Sequence, residues 1–122
     1  LLTWRPAPET NSIAVLIVHT LGSEAEVFRI AHNAAGSRDR EAEFRADVDS
    51  ADAVLALLDA ADADLDAAAP HITAADLDAK RPRRGNPPET MRYWLFQNYG
   101  HAREHLGQMY LTKQLSEARS GR

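Results

Sequence analysis

Apolar positions recur at helical spacing along three stretches of this chain, and prolines, glycines or clustered charges separate them. The first stretch runs from Ile13 to about Ala35, with Ile13, Leu16, Ile17, Leu21, Val27 and Ile30 on its apolar side. Asn11 or Ser12 supplies the N-cap oxygen, and Gly36 is a natural stop. The second starts at Ser50 as N-cap and runs to about Ala69, carrying Val54, Leu55, Leu57, Leu58 and Leu65 before Pro70 ends it. Its remaining positions are mostly Ala and Asp, an acidic face for water. The third and longest extends from about Pro88 to about Ala118, with Pro88 and Glu89 suited to a first turn. Leu1 to Thr10, broken by Pro6 and Pro8, reads as a connector. Ser37 to Asp49 reads as a charged connector anchored by Phe44. His71 to Pro87 reads as a second connector, with Lys80-Arg81-Pro82-Arg83-Arg84 as a solvated basic loop. No stretch gives a convincing strand.

Composition narrows this picture. A chain of 122 residues, 44% of them hydrophobic, supports one domain with one modest core. No apolar run of about 18 residues exists to span a bilayer. The net charge of −4 argues against non-specific nucleic-acid binding. The absence of cysteine excludes disulfides and thiolate metal sites, and it fits a reducing cytoplasm. No targeting segment is visible at Leu1-Leu2-Thr3, and the true start is expected upstream. An Ala-, Arg- and Asp-rich composition is compatible with a high-GC bacterium.

One segment concentrates polar chemistry inside the helical pattern: His-Ala-Arg-Glu-His-Leu-Gly-Gln, His101 to Gln108. At about 100° per residue, Trp94, Asn98, His101, His105 and Gln108 fall on one stripe of the third helix. Two imidazoles one turn apart can grip one metal ion without bending the backbone. Asn98 and Gln108 on the same stripe would be costly inside a bundle unless they bond something. His19 lies in the middle of the first helix, where it can face the pair. Gly107, beside His105, leaves room for a neighbouring backbone. His32 falls roughly 220° round from His19, and His71 lies beyond a helix end, so neither is a candidate ligand. Spacing alone does not separate a metal site from two neutral, hydrogen-bonded histidines on a partly exposed face. The letters His-x-x-Glu-His also match the inverted zinc-protease motif with Glu104 as base. That reading lacks the further acidic ligand such enzymes take from a later helix. No residue presents itself as a general base independent of a metal.

Two segments together resemble a known family. Trp-Arg-Pro-x-Pro-x-x-Asn-Ser-Ile-Ala-x-Leu-Ile-x-His, Trp4 to His19, and His-Ala-x-Glu-His-Leu-Gly-Gln-x-Tyr-Leu-x-x-Gln-Leu, His101 to Leu115, look like the DinB-like (DinB/YfiT-type) metalloenzyme family. The resemblance implies an all-α, antiparallel four-helix bundle over residues 1–122, with the family's first helix lying upstream of this chain. It implies a divalent ion, zinc or nickel, on His19, His101 and His105, with no ligand substituted. It also implies a homodimer, and in some relatives a reaction with bacillithiol or mycothiol as thiol co-substrate. Asn98, Glu104 and Gln108 are then the polar groups that would orient ligands or substrate, and Tyr93 and Trp94 would line the mouth. Two functions follow as expectations: a metal-dependent thiol S-transferase or hydrolase, or a non-catalytic bundle that binds metal or dimerises in a sensor or structural role.

Overall fold

The computed structural model describes residues 1–34 and 36–121. Its helices are α1 (Ile13–Ala31), α2 (Arg40–Glu43), α3 (Ala51–Ala68), α4 (Ala74–Asp78) and α5 (Met91–Ser120), with a hairpin of β1 (Lys80–Arg83) and β2 (Asn86–Thr90) before α5. A 3₁₀ turn, Ala69–His71, follows α3 where Pro70 removes a helical donor.

The three long helices begin where side-chain oxygens serve the first free amides. Ser12 Oγ accepts from Val15 N at 3.2 Å, and Ser50 Oγ from Ala53 N at 3.2 Å. The last helix starts later than its sequence pattern suggests. Thr90 is its N-cap, accepting from Tyr93 N at 3.2 Å, because Pro88 and Glu89 belong to β2. At the other end of α1 the helix stops at Ala31, four residues short of the expected end, and Ala35 itself lies outside the described residues. His32 is the C-cap there, its ring nitrogens 2.8 Å from Phe28 O and 3.0 Å from Ala68 O. It ties the ends of α1 and α3 together, remote from His19.

The expectation of an all-α chain without strands needs correction. β1 and β2 pair antiparallel, with Lys80 opposite Thr90 and Arg83 opposite Asn86. The two-residue connection Arg84-Gly85 has φ of 53° and 75°, as a tight hairpin turn requires, and glycine takes the second position at little cost. The register slips between Arg81 and Arg83, beside Pro82 and across from Pro87 and Pro88, which have no amide hydrogen to give the ladder. These prolines and the missing apolar alternation make the segment look like a loop in sequence. The supposed solvated basic loop is therefore a strand, and Arg83 is buried within the molecule. The charged connector Ser37–Asp49 likewise holds a turn of helix, α2, capped by Asp39.

α1 packs on both α5 and α3. Val27 and Ala31 of α1 meet Met91 and Trp94 of α5, with Ile30, Ile72 and Leu95 around them. Trp94 Nε1 donates to Arg81 O at 2.8 Å, fixing the hairpin to the start of α5. α3 buries no residue: Leu55, Leu57 and Leu58 stay exposed, and a groove of about 500 Å³ opens between α1 and α3. Three long helices, not four, are present among the described residues. No helix among them is long and apolar enough to cross a membrane.

Candidate metal centre

α1 and α5 bring together the three histidines singled out in the sequence. His19 follows Val15 and Leu16 on the buried side of α1 and is 4% exposed. On α5 the stripe falls as its spacing predicts: Trp94 and Asn98 buried, His101 and His105 half-buried, Gln108 exposed. One potential ligand atom from each of His19, His101 and His105 lies within 4.8 Å of the others. His101 Nε2 is 3.2 Å from His19 Nε2 and 2.9 Å from His105 Nε2.

The outer partners fix what these nitrogens carry. His19 Nδ1 donates to Glu43 Oε2 at 2.9 Å, and His105 Nδ1 donates to Gln108 Oε1 at 2.8 Å. With hydrogen on Nδ1, a neutral imidazole presents a bare lone pair at Nε2. Two lone pairs thus point at His101 Nε2, whose single hydrogen, if it has one there, must be shared between both. A cation at the centre would take all three lone pairs. For zinc–nitrogen bonds of about 2.0–2.1 Å, tetrahedral geometry sets nitrogens roughly 3.3–3.4 Å apart, and the two separations from His101 Nε2, 3.2 and 2.9 Å, lie just under this. His101 Nδ1 is buried and has no hydrogen-bond partner among the described residues. The donor set therefore fits a divalent ion, with two of its three ligands oriented from behind.

Electrostatics disfavours the charged forms of His19 and His101. Burial, helped by the neighbouring His105 and His19, pushes His101 from an ordinary value of 6.5 down to about 4. Burial also lowers His19, more than its hydrogen bond to Glu43 raises it. For Glu43, burial opposes ionisation, but the hydrogen bonds and charge of Arg38 outweigh it and hold the carboxyl below its usual range. Arg38 grips both oxygens, Nε on Oε1 at 2.6 Å and Nη2 on Oε2 at 2.7 Å, and Nη2 also donates to His19 O at 3.1 Å. The Phe44 ring covers the His19 imidazole, with centroids 4.8 Å apart.

These shifts give a pH dependence with a definite sign. In the unfolded chain His19 and His101 take up protons below their ordinary value near 6.5, while in the fold they stay neutral. The metal-free protein should lose stability as pH falls from about 6.5 to about 4. Thermal melts across that window should show a falling midpoint; a flat profile would mean the imidazoles are solvated.

Sequence reasoning missed the layer behind the histidines. Glu43 and Arg38 lie in the segment taken for a charged connector, and Arg83 in the segment taken for a loop. Glu26 accepts from Arg83 Nε at 3.0 Å and Arg38 Nη1 at 3.3 Å, joining both to α1. Gly22, one turn beyond His19, was a usable signal: a Cβ there would collide with the Glu43 carboxylate. Other expectations are redirected. Asn98 accepts from Ser23 Oγ at 2.7 Å, so it clasps α5 to α1 and does not bond a histidine. Glu104 is exposed, and the carboxylate on a site histidine is that of Glu43. Nothing lies within 4 Å of a Cβ built at Gly107, so no backbone uses the room it leaves. Tyr93 is half exposed, whereas Trp94 forms part of a cavity that His101 also lines.

Comparison with known proteins gives one match. The family model described as the DinB superfamily covers residues 1–109, and so includes all three histidines. No curated protein and no solved structure matches the chain.

Proposed function

The chain belongs to the DinB superfamily, and from that premise we propose that His19, His101 and His105 hold one divalent ion, zinc or nickel, in a metal-dependent thiol S-transferase or hydrolase. The observation that carries this reading is the convergence of three Nε2 atoms, two of them committed as lone pairs by Glu43 and Gln108. Three protein ligands leave coordination positions open, the layout of a catalytic rather than a closed structural site. When bound, such an ion supplies Lewis acidity, lowering the pKa of a thiol or water or polarising a carbonyl.

The chain's own residues do the rest. Glu43, pinned by Arg38, holds the His19 ring in one tautomer and orientation and raises its basicity as a ligand. Gln108 does the same for His105 from within α5. Gln108 also borders a cavity of about 320 Å³ with Pro6, Leu111 and Leu115, which offers an apolar wall to a substrate.

The same reading includes a four-helix bundle, with a fourth helix lying against the α1–α3 groove, and a cytoplasmic homodimer. The exposed aromatic face of α5, with Phe96 81% and Tyr99 63% exposed, supports a second copy as partner.

The test is metal analysis of purified protein, then assays with small electrophiles and low-molecular-weight thiols, and with ester and amide substrates. One metal per chain and metal-dependent turnover are expected. One metal per chain without turnover in either assay would favour the non-catalytic bundle.

A further inference from the structure

Next to the three histidines lies a second feature that the reading above leaves unused. A cavity of about 110 Å³ opens between the hairpin, α1 and α5, and His101 forms part of its wall. Its other walls are polar or basic: Ser23 from α1, Arg83, Arg84 and Asn86 from the hairpin, and Gln97 beside Trp94 on α5. The tight turn places Arg83 and Arg84 consecutively at this cavity.

Arg83 is 6% exposed and fully engaged on one side. It donates to Glu26 from Nε, to Gln97 Oε1 from Nη1 at 3.1 Å and to Ser23 Oγ from Nη2 at 2.9 Å. Nη2 also donates to Ser23 O at 3.4 Å, so of the five N–H donors of the guanidinium one, on Nη1, remains. Arg84 holds only a long pair, Nε to Glu26 Oε1 at 3.7 Å, and its side chain is 39% exposed. Charge is out of balance here. Three guanidinium groups, Arg38, Arg83 and Arg84, face two carboxylates, Glu26 and Glu43. Burial, with Arg38 and Arg84 nearby, presses the Arg83 guanidinium below its usual range, although Glu26 resists this. Arg84 is free to turn toward an anion, and the buried His101 Nδ1 still lacks a partner.

We propose that this cavity is a subsite for the carboxylate of a small organic acid, gripped by Arg84 and the spare donors of Arg83 and Gln97. Size and charge select the class. At roughly 30 Å³ per water-sized group, the cavity admits three or four such groups, enough for a carboxylate and one or two carbons. Guanidinium groups outnumber carboxylates here, which suits an anion, and planar guanidinium donors match the two oxygens of a carboxylate. Because His101 is shared by cavity and centre, an acid anchored here would present its far end to the histidines. That last step rests on the proposed function; the anion subsite itself does not.

The test is NMR titration of the full chain, metal-free, with propionate, with propionamide as its uncharged counterpart, and with inorganic phosphate. The indole N–H of Trp94 and the side-chain amide of Gln97 report the cavity, and Trp4→Phe assigns the indole signal. Propionate should give a saturable shift, with affinity about tenfold weaker for propionamide and for propionate with the Arg84→Gln variant, the loss of one charge-assisted contact. Arg84 is partly exposed, so this variant spares the buried Arg83 network. No saturable shift, equal affinity for propionamide, unchanged affinity in Arg84→Gln, or tighter binding of phosphate would overturn the assignment. Zinc stoichiometry on the same samples separates the two claims. Zinc bound without propionate binding removes the subsite alone, and propionate bound without zinc binding removes the metal centre and leaves the subsite standing.

Discussion

Replacing His105 with alanine should strip the protein of stoichiometric metal while leaving its helices in place. His105 is half-buried, and its ring contacts the Gln108 amide on the same helix and the His101 nitrogen. Losing those contacts costs the fold little, since alanine favours the helix and substitutions outside the core stay mostly within about 0.5 kcal/mol. Loss of a ligand should exceed the roughly 10–100-fold fall in metal affinity seen on losing an outer partner. The metal-free variant should melt no lower than the metal-free parent, because one of two lone pairs crowding His101 Nε2 is gone. Metal content by elemental analysis and far-UV circular dichroism check this together. Equal metal in variant and parent would count against the site, and collapse of the helical signal would show that His105 is structural.

The second large effect lies behind the site. Arg38→Met should destabilise the metal-free protein by about 3–5 kcal/mol, the cost of leaving a buried charge unpaired. The Arg38 guanidinium is the bidentate partner of Glu43 and also reaches Glu26, and all three side chains are less than a tenth exposed. Without it, Glu43 keeps only the His19 imidazole as partner. Against a usual stability of about 5–15 kcal/mol this is a large share, and the melting midpoint should drop by about 10 °C or more. Arg38→Met combined with Glu43→Leu should recover part of the loss, because the stranded charge goes with it. A single-variant loss below about 1 kcal/mol, the range of solvated pairs, would mean that water reaches this network.

The two predictions mark where the sequence was and was not legible. The histidine stripe on α5 could be read because helical periodicity is local: Trp94, Asn98, His101 and His105 share a face by spacing alone. Ser12 and Ser50 could be read as caps for the same reason. Arg38, Glu43 and Arg83 could not. A charged residue in a run of charges reads as solvated, and what buries these three is pairing across distance, as between Glu26 and Arg83, 57 positions apart. The hairpin was hidden because Pro82, Pro87 and Pro88 mimic a loop, and because its inward residue is an arginine held by a carboxylate rather than an apolar one. Gly22 alone hinted that something approaches α1 closely, and its meaning depends on where Glu43 comes to lie.

The apolar face of α3 is a different case. Its leucines were legible, but the groove that Leu57 and Leu65 line has no cover among the described residues. Periodicity identifies a face that needs a partner without naming the partner.

The central claim is that three imidazoles from two helices share one ion. X-ray absorption at the zinc edge of the zinc-loaded full chain tests it most directly. The account predicts one zinc per chain with three imidazole nitrogens at about 2.0–2.1 Å, reduced to two in His105→Ala if any zinc remains. A coordination shell of oxygens alone, or one unchanged by that substitution, would contradict it.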